Sequence, residues 1–229
     1  MLNPIELRRL RCWDGLHYSF QMLHLSQESL WETCCAIPGD SSKAILGLVH
    51  CWNFIDSLHR IREIAQATPG LNTKDLESRV FLEATSITEE YRHYIQHLRQ
   101  ELNREPPNSF PVWGSLSWVD SVDSSKSYIA HLGAQIPGMQ YSGCVFDTHD
   151  LKWVSRVCLG IDRRSFNFDP IYEAAVRFES LILPNLLQSF SPDVQRHDKL
   201  PIMSIIIQYT NEHNKSLHVT ASDDAARER

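Results

Sequence analysis

In the first hundred residues, hydrophobic positions recur at steps of three and four. The first apolar stripe comprises Leu7, Leu10, Trp13, Leu16, Phe20 and Leu23, and continues through Leu30, Trp31 and Cys34. The second comprises Ile45, Leu48, Trp52, Ile55, Leu58 and Ile61, and the third Leu76, Val80, Ala84, Ile87, Tyr91, Ile95, Leu98 and Leu102. Proline-containing breaks at 38–42, 69–70 and 106–107 bound the stripes. This spacing predicts three antiparallel helices of roughly 25–30 residues each.

The pattern changes between Phe110 and Asp162. The segments 112–119, 139–147 and 152–160 are short and rich in β-branched and aromatic residues, as in an antiparallel meander. Residues 148–150 predict a hairpin turn, Asp169 followed by Pro170 predicts the cap of a fourth helix, and 202–209 is a further strand candidate.

Together these elements predict a mainly α protein, an antiparallel four-helix bundle with a small antiparallel β insertion before the last helix. The chain is expected to form a single domain, 1–229, with the β-rich insertion at 110–162 and a flexible tail at 220–229.

Composition narrows the class of protein. The chain is 42% hydrophobic and 22% charged, with a net charge of −6, which excludes a wholly disordered chain and argues against a non-specific nucleic-acid coat. No run approaches the roughly 18 apolar residues of a membrane span, and residues 1–9 do not resemble a secretory signal. The six cysteines include no Cys-x-x-Cys pair. They are expected to be reduced, mostly buried thiols, so we expect a cytoplasmic protein without membrane contact.

The stretch 89–99 carries the candidate chemistry. Dinucleotide, phosphate-loop, zinc-protease and nucleophile-elbow motifs are absent from the sequence. Near the end of the third stripe, however, Arg92 precedes His97 by four intervening residues, and His93 directly follows the arginine.

This arrangement resembles the motif of the HEPN family, the higher-eukaryote and prokaryote nucleotide-binding helical bundles. The resemblance covers about residues 5–105 and the helix near 170–190. It implies a metal-independent endoribonuclease with RNA as substrate and no cofactor, acting as a homodimer. Members are often toxins or phage-defence effectors, which implies an antitoxin or regulatory partner. In members modified by a nucleotidyltransferase a tyrosine lies two residues after the histidine, where this chain has Arg99.

Residue chemistry is consistent with those roles. Histidine titrates near neutral pH, which makes His97 a candidate general acid or base with His93 in support. Arg92 stays cationic and can bind a phosphate with two donors. On an ideal helix Arg92 and His97 lie about 140° apart. One protomer therefore presents them on different flanks, and a two-fold dimer is expected to bring two motifs to one cleft.

Two alternatives remain open from the sequence. One is a non-catalytic dimeric module that binds a nucleotide or a protein. The other is a metal site on the helix face formed by Glu89, His93 and His97, completed by Asp56 and His59 from the second helix. In the ribonuclease interpretation Asn53, Asp56 and His59 are supporting residues that orient the motif.

Overall fold

A computed structural model describes residues 3–105, 110–133, 143–162, 164–190, 204–206 and 220–222. The chain divides into two compact units, 1–190 and 191–229. The helices are α1 (Pro4–Ala36), a 3-10 turn (Ser41–Lys43), α2 (Ala44–Ala67), α3 (Leu76–Ala84), α4 (Ile87–Gln96), α5 (Leu98–Leu102) and α6 (Phe168–Gln188). The mainly α class predicted from the sequence is confirmed.

Helices α1 and α2 follow the first two apolar stripes and run antiparallel. A capping box starts α1: the Asn3 side chain accepts from the Ile5 and Glu6 amides, and Glu6 accepts from the Asn3 amide. A side chain at Gly15 would meet Ile64, whereas one at Gly47 would meet Thr33. Residues near the start of α1 therefore face the end of α2, and residues near the end of α1 face its start, as in an antiparallel pair.

The third predicted helix is broken twice, which corrects the single long element expected from its stripe. Thr85 leaves the helical conformation, and its hydroxyl donates to the Phe81 carbonyl at 2.7 Å and accepts from Arg62 Nη1 at 2.6 Å. A threonine hydroxyl that bonds to the backbone competes with the helical ladder. His97, with φ −110° and ψ 24°, separates α4 from α5 in the same way.

Helix α6 completes the helical part. It packs on α1, where His24 contacts Glu179 and Gln27 contacts Asp169, and on α3, where Phe81 stacks on Phe178 with ring centroids 4.2 Å apart. Its N-cap is Asn167, so Asp169 and Pro170 lie in the first turn rather than at the cap, and Pro184 lies inside the helix. Whether this bundle is of the HEPN type stays a prediction.

The β region forms an antiparallel sheet with strand order β2-β1-β5-β6. Its strands are β1 (Ser115–Val119), β2 (Ser127–His131), β5 (Val157–Ile161) and β6 (Arg164–Asn167), and a separate hairpin consists of β3 (Phe146–Asp147) and β4 (Lys152–Trp153). The hairpin turns at 148–151, as predicted. Strand β2 was not expected, and β6 extends the sheet past 162 to the start of α6. Residues 139–142 of a predicted strand lie outside the described residues.

Sheet and helices share one hydrophobic core. Phe54 of α2 packs on Phe166 and Phe168, with ring centroids 6.0 and 5.0 Å away. The Tyr91 hydroxyl of α4 donates to the Leu159 carbonyl at 2.6 Å. Burial raises the pKa of Tyr91, so its hydroxyl stays protonated and can keep donating. The β region is thus part of the core and not a separate appendage.

The cysteines differ from the expectation of reduced thiols at two positions. Cys12, Cys34 and Cys51 are buried free thiols and Cys35 is half-buried. Cys144 and Cys158 are joined in a disulfide. The Cys144 amide donates to the Ser117 hydroxyl of β1, and Ser117 is the register partner of Cys158 on β5. The Cα atoms of the two cysteines lie 5.9 Å apart, a separation that a disulfide spans.

In the second unit, β7 (Ser204–Ile206) and β8 (Thr220–Ser222) pair antiparallel. Strand β7 falls within the strand predicted at 202–209. Residues 220–222 of the predicted tail are a strand, and 223–229 lie outside the described residues. Among the described helices, none combines the length and the apolar character needed to cross a bilayer.

Candidate functional site

Helix α4 lies against α2 through a set of ion pairs. Arg92 donates from Nη1 to Asp56 Oδ1 at 2.8 Å, and the other Asp56 oxygen pairs with Arg60. About a quarter of the Arg92 side chain is exposed (27%), while its Nε is buried and has no hydrogen-bond partner among the described residues. Asp56 therefore joins Arg92 of α4 to α2, and its role in orienting a catalytic motif stays a prediction.

One helical turn earlier, Glu89 is the second anchor between the two helices. Arg62 donates from Nε to Glu89 Oε1 at 2.8 Å, and His59 Nδ1 lies 3.3 Å from the same oxygen. Burial acts to raise the pKa of Glu89, but the hydrogen bond from Arg62 and the positive charges of His59 and Arg62 outweigh it. The net pKa of Glu89 is lowered, so the carboxylate is ionised at neutral pH.

The two motif histidines lie together at the end of α4. Their rings are in contact at a tilt of 45°, with centroids 4.3 Å apart. His93 is exposed on the last turn of the helix, and His97 is half-buried at the residue that ends it. The His97 ring is therefore held against the His93 ring, one turn further along the chain than the point where Arg92 and Asp56 meet.

An open cleft of about 390 Å³ joins these groups to the sheet. It is lined by His59, Glu89, Glu90, Arg92, His93, Gln96 and Arg164. Arg164 of β6 reaches the cleft and pairs with Glu90 through Nε at 3.1 Å. Two arginines and two histidines therefore line one concave surface, together with two carboxylates.

The structure brings together most of the predicted site residues. Arg92, His93 and His59 line the cleft, and Asp56 pairs with Arg92. The His97 ring contacts His93 but is not part of the cleft lining. Asn53 is exposed on α2 and is not part of the cleft lining.

Sequence reasoning missed Arg164. No local pattern marks this arginine, since it reaches the cleft only because β6 pairs with β5 and the sheet packs on α4.

The metal site predicted on one face of α4 does not form in the described residues. His93 contacts His97, while the Glu89 carboxylate faces α2. Asp56 is occupied by Arg60 and Arg92. Within the described residues, the group of ligand atoms that does converge is that of His59, Glu63 and Glu89, all within 4.8 Å of one another.

Comparison of the chain with protein-family models, curated proteins and solved structures finds no match in any of the three. The functional argument therefore depends on the residues of the cleft and on the motif that they carry.

Proposed function

We propose that the cleft between α2, α4 and β6 binds the phosphodiester backbone of RNA and cleaves it without a metal ion. The observation that carries the proposal is that Arg92, Arg164 and His93 line one open cleft, with the His97 ring next to His93 just outside that lining. The HEPN resemblance of the same residues points to the same chemistry. Substrate RNA, homodimeric assembly and metal independence all belong to this proposal.

The reaction would be a transphosphorylation within one RNA strand. The ribose 2′-oxygen bonds to phosphorus while the bond from phosphorus to the 5′-oxygen breaks. A base takes the 2′-hydroxyl proton and an acid returns a proton to the departing 5′-oxygen, leaving a 2′,3′-cyclic phosphate and a 5′-hydroxyl. We assign the proton transfers to His97, with His93 in support. Arg92 would stabilise the negative charge of the phosphorane.

Arg164 is a second phosphate ligand in this proposal. It lies on the sheet side of the cleft, opposite the helix that carries Arg92, so a phosphate between them would meet donors from two elements. Each arginine is paired with a carboxylate in the free protein. Binding of the phosphate would compete with Glu90 for Arg164, while Asp56 keeps Arg92 oriented.

The decisive experiment measures RNA cleavage in EDTA. The proposal predicts that the wild type cleaves a structured RNA to cyclic-phosphate ends, and that His97→Ala lowers the rate by about 10²–10⁴-fold. His93→Ala tests the supporting role in parallel. His149→Ala, on the exposed turn between β3 and β4, is the control and should match the wild type. An inactive wild type, or a His97→Ala rate equal to it, contradicts the enzymatic proposal.

Arg92→Lys tests the geometry of the phosphate contact. Lysine keeps the charge but cannot offer two parallel donors, so most of the activity should be lost while the fold is retained. Arg99→Lys, further along at α5 and exposed, is the matched control. Activity of Arg92→Lys close to that of the wild type would assign Arg92 a purely electrostatic role, contrary to the proposal.

A non-catalytic binding module is the second candidate function. The pairing of both cleft arginines with carboxylates favours binding over catalysis, because an arginine that already faces a carboxylate stabilises the extra negative charge of a phosphorane less than an unpaired one would. This alternative predicts binding of RNA or a nucleotide by the wild type with no cleavage, and equal binding by His97→Ala. Glu90→Gln, which frees Arg164, should tighten that binding.

The proposal includes a symmetric homodimer whose interface contains residues near 88–100 and the flank of α2 near Asp56. Light scattering should give twice the 26.4 kDa mass of one chain. Mixing His97→Ala with Arg92→Ala protomers should restore part of the activity, because one composite cleft would then be complete. A monomer at micromolar concentration, or a dimer that buries only the β region, contradicts this arrangement.

The cellular setting implied by the resemblance is a cytoplasmic toxin or phage-defence effector restrained by an antitoxin or regulatory partner. Expression in a bacterial host tests it directly. Wild-type protein should arrest growth, and His97→Ala expressed to the same level should not. Equal growth of the two strains speaks against a toxin.

A further inference from the structure

At the α2 end of the cleft, two helices bring a histidine and two glutamates together. His59 and Glu63 are four residues apart on α2 and so lie on one face of that helix. Glu89 approaches from α4, and the ligand atoms of all three lie within 4.8 Å of one another. We infer that this group binds a divalent transition metal ion such as Zn²⁺.

The donor set indicates the class of metal. An imidazole nitrogen with two carboxylate oxygens suits Zn²⁺ and its first-row neighbours, whereas Mg²⁺ and Ca²⁺ favour oxygen ligands alone. Three protein ligands leave a coordination position for water or another small ligand. Because His59 and Glu89 also line the open cleft, that position is accessible from solvent.

Two features prepare the ligands for a metal ion. Both described contacts to Glu89, from Arg62 and His59, fall on Oε1, so Oε2 is the oxygen offered to a metal while Arg62 keeps the carboxylate oriented. Glu63 is exposed and forms no ion pair with any residue that the structure describes. It can turn toward the ion without breaking another contact.

Arg62 sets the main limit on affinity. Its guanidinium lies 2.8 Å from Glu89 Oε1, and its positive charge repels a cation at the neighbouring oxygen. We therefore expect binding much weaker than at a structural zinc site. Replacing the buried Arg62 would disturb the fold, so the ligands themselves are the residues to vary.

The metal site overlaps the proposed ribonuclease cleft at His59 and Glu89, but its chemistry is separate from cleavage. It uses Glu63, which has no part in cleavage, and it includes none of Arg92, His93 and His97. Metal binding is also measured without RNA. Failure of the cleavage proposal and failure of the metal site are therefore separate results.

The test is titration of the full-length protein with ZnCl₂ by calorimetry, with melting temperature as a second readout. The wild type should bind one equivalent, and Glu63→Gln should weaken binding by more than about tenfold. Zn²⁺ should also raise the melting temperature of the wild type, because it joins α2 to α4, and should raise that of Glu63→Gln much less. Glu32→Gln, an equally exposed glutamate on α1 outside the cleft lining, is the matched control and should bind like the wild type.

A second possible zinc site must be distinguished from the proposed one. The adjoining His93 and His97 could themselves hold Zn²⁺ as a pair, and the half-buried thiol of Cys35 is a further ligand. All titrations therefore use a Cys35→Ser background and include His93→Gln. Binding lost in His93→Gln but kept in Glu63→Gln overturns the inference, and so does an absence of binding by the wild type.

Discussion

At the residue scale, Arg62 is a buried cation with three kinds of acceptor. It donates to the Leu82 carbonyl, the Thr85 hydroxyl and the Glu89 carboxylate, and its side chain is 8% exposed. These contacts join α2 to the break between α3 and α4. The Arg62 guanidinium therefore fixes both the break between α3 and α4 and the position of the Glu89 carboxylate.

Replacing Arg62 by leucine should be strongly destabilising. The part-buried Leu82 carbonyl and the buried Thr85 hydroxyl would lose the hydrogen bonds that Arg62 donates, and an unsatisfied buried acceptor typically costs about 1–3 kcal/mol. We expect the free energy of unfolding to fall by about 2–4 kcal/mol, measured by urea denaturation.

The comparison for this variant is Arg60→Ala on the same helix. Arg60 also pairs with a carboxylate, but its side chain is 55% exposed. An exposed ion pair contributes at most about 1 kcal/mol. If the two variants lose equal stability, burial of Arg62 is not what makes it important.

At the element scale, His24 joins α1 to α6. Its Nδ1 lies 2.8 Å from the Tyr172 hydroxyl and its Nε2 lies 2.8 Å from Glu179 Oε2. The hydrogen bond to Glu179 raises the pKa of His24, burial lowers it, and the charges of Glu179 and Glu28 raise it further. The net pKa is above the usual value of His.

This shift predicts a pH-dependent stability. Because the pKa of His24 is higher in the folded than in the unfolded state, its contribution to stability is full below the unfolded pKa of about 6.5. That contribution is lost as the pH rises through the pKa of the folded state. His24→Gln should therefore cost more stability at pH 5.5 than at pH 8.5, measured by urea unfolding. Glu179→Gln removes the main cause and should shrink that difference. A cost independent of pH would contradict the assignment.

The entry to β1 depends on a glycine. Gly114 has φ +92°, and a Cβ added there would lie 2.8 Å from the Gly160 carbonyl oxygen on the neighbouring strand β5. Gly114→Ala meets both a disfavoured backbone conformation and a backbone clash. We expect a loss of at least about 2 kcal/mol in the free energy of unfolding.

Gly39→Ala serves as the comparison for that loss. It lies in the loop between α1 and the 3-10 turn, where an added Cβ would lie 3.7 Å from the nearest neighbour, the Ala36 carbonyl oxygen. This variant should change stability little. Equal stability of the two variants would show that the sheet shifts to accept a side chain at Gly114.

At the scale of the whole molecule, residues 3–190 should unfold as one cooperative unit. Helix and sheet residues share a core in which Phe54 contacts Phe166 and Phe168, and Tyr91 bonds to the β5 backbone. Far-ultraviolet circular dichroism reports mainly the helices, and tryptophan fluorescence includes the buried Trp118 of β1. We expect the two transitions to coincide in urea.

Tyr91→Phe should shift both transitions to lower urea together, because it removes the hydroxyl that links α4 to β5. Different urea midpoints for the circular dichroism and fluorescence transitions would contradict a shared core. They would indicate that the β region folds as an independent insertion.

The sequence by itself determined the elements that depend on local patterns. Apolar steps of three and four marked α1, α2 and the region of α6, and proline-rich breaks marked where the first two helices end. The turn residues 148–150 predicted the β3–β4 hairpin. Arg92, His93 and His97 were singled out by the resemblance of their spacing to the HEPN motif, and Asp56 and His59 by their position beside the α2 stripe.

Only the tertiary structure decided what depends on contacts between distant residues. The third stripe is periodic throughout, yet Arg62 of α2 bonds to Thr85 and the helix breaks there. Arg164 and Glu63 carry no local signal in the sequence. Arg164 reaches the cleft because the sheet packs on α4, and Glu63 joins the proposed metal site because α4 lies against α2. The Cys144–Cys158 bond likewise follows from strand pairing, which no spacing of cysteines along the chain reveals.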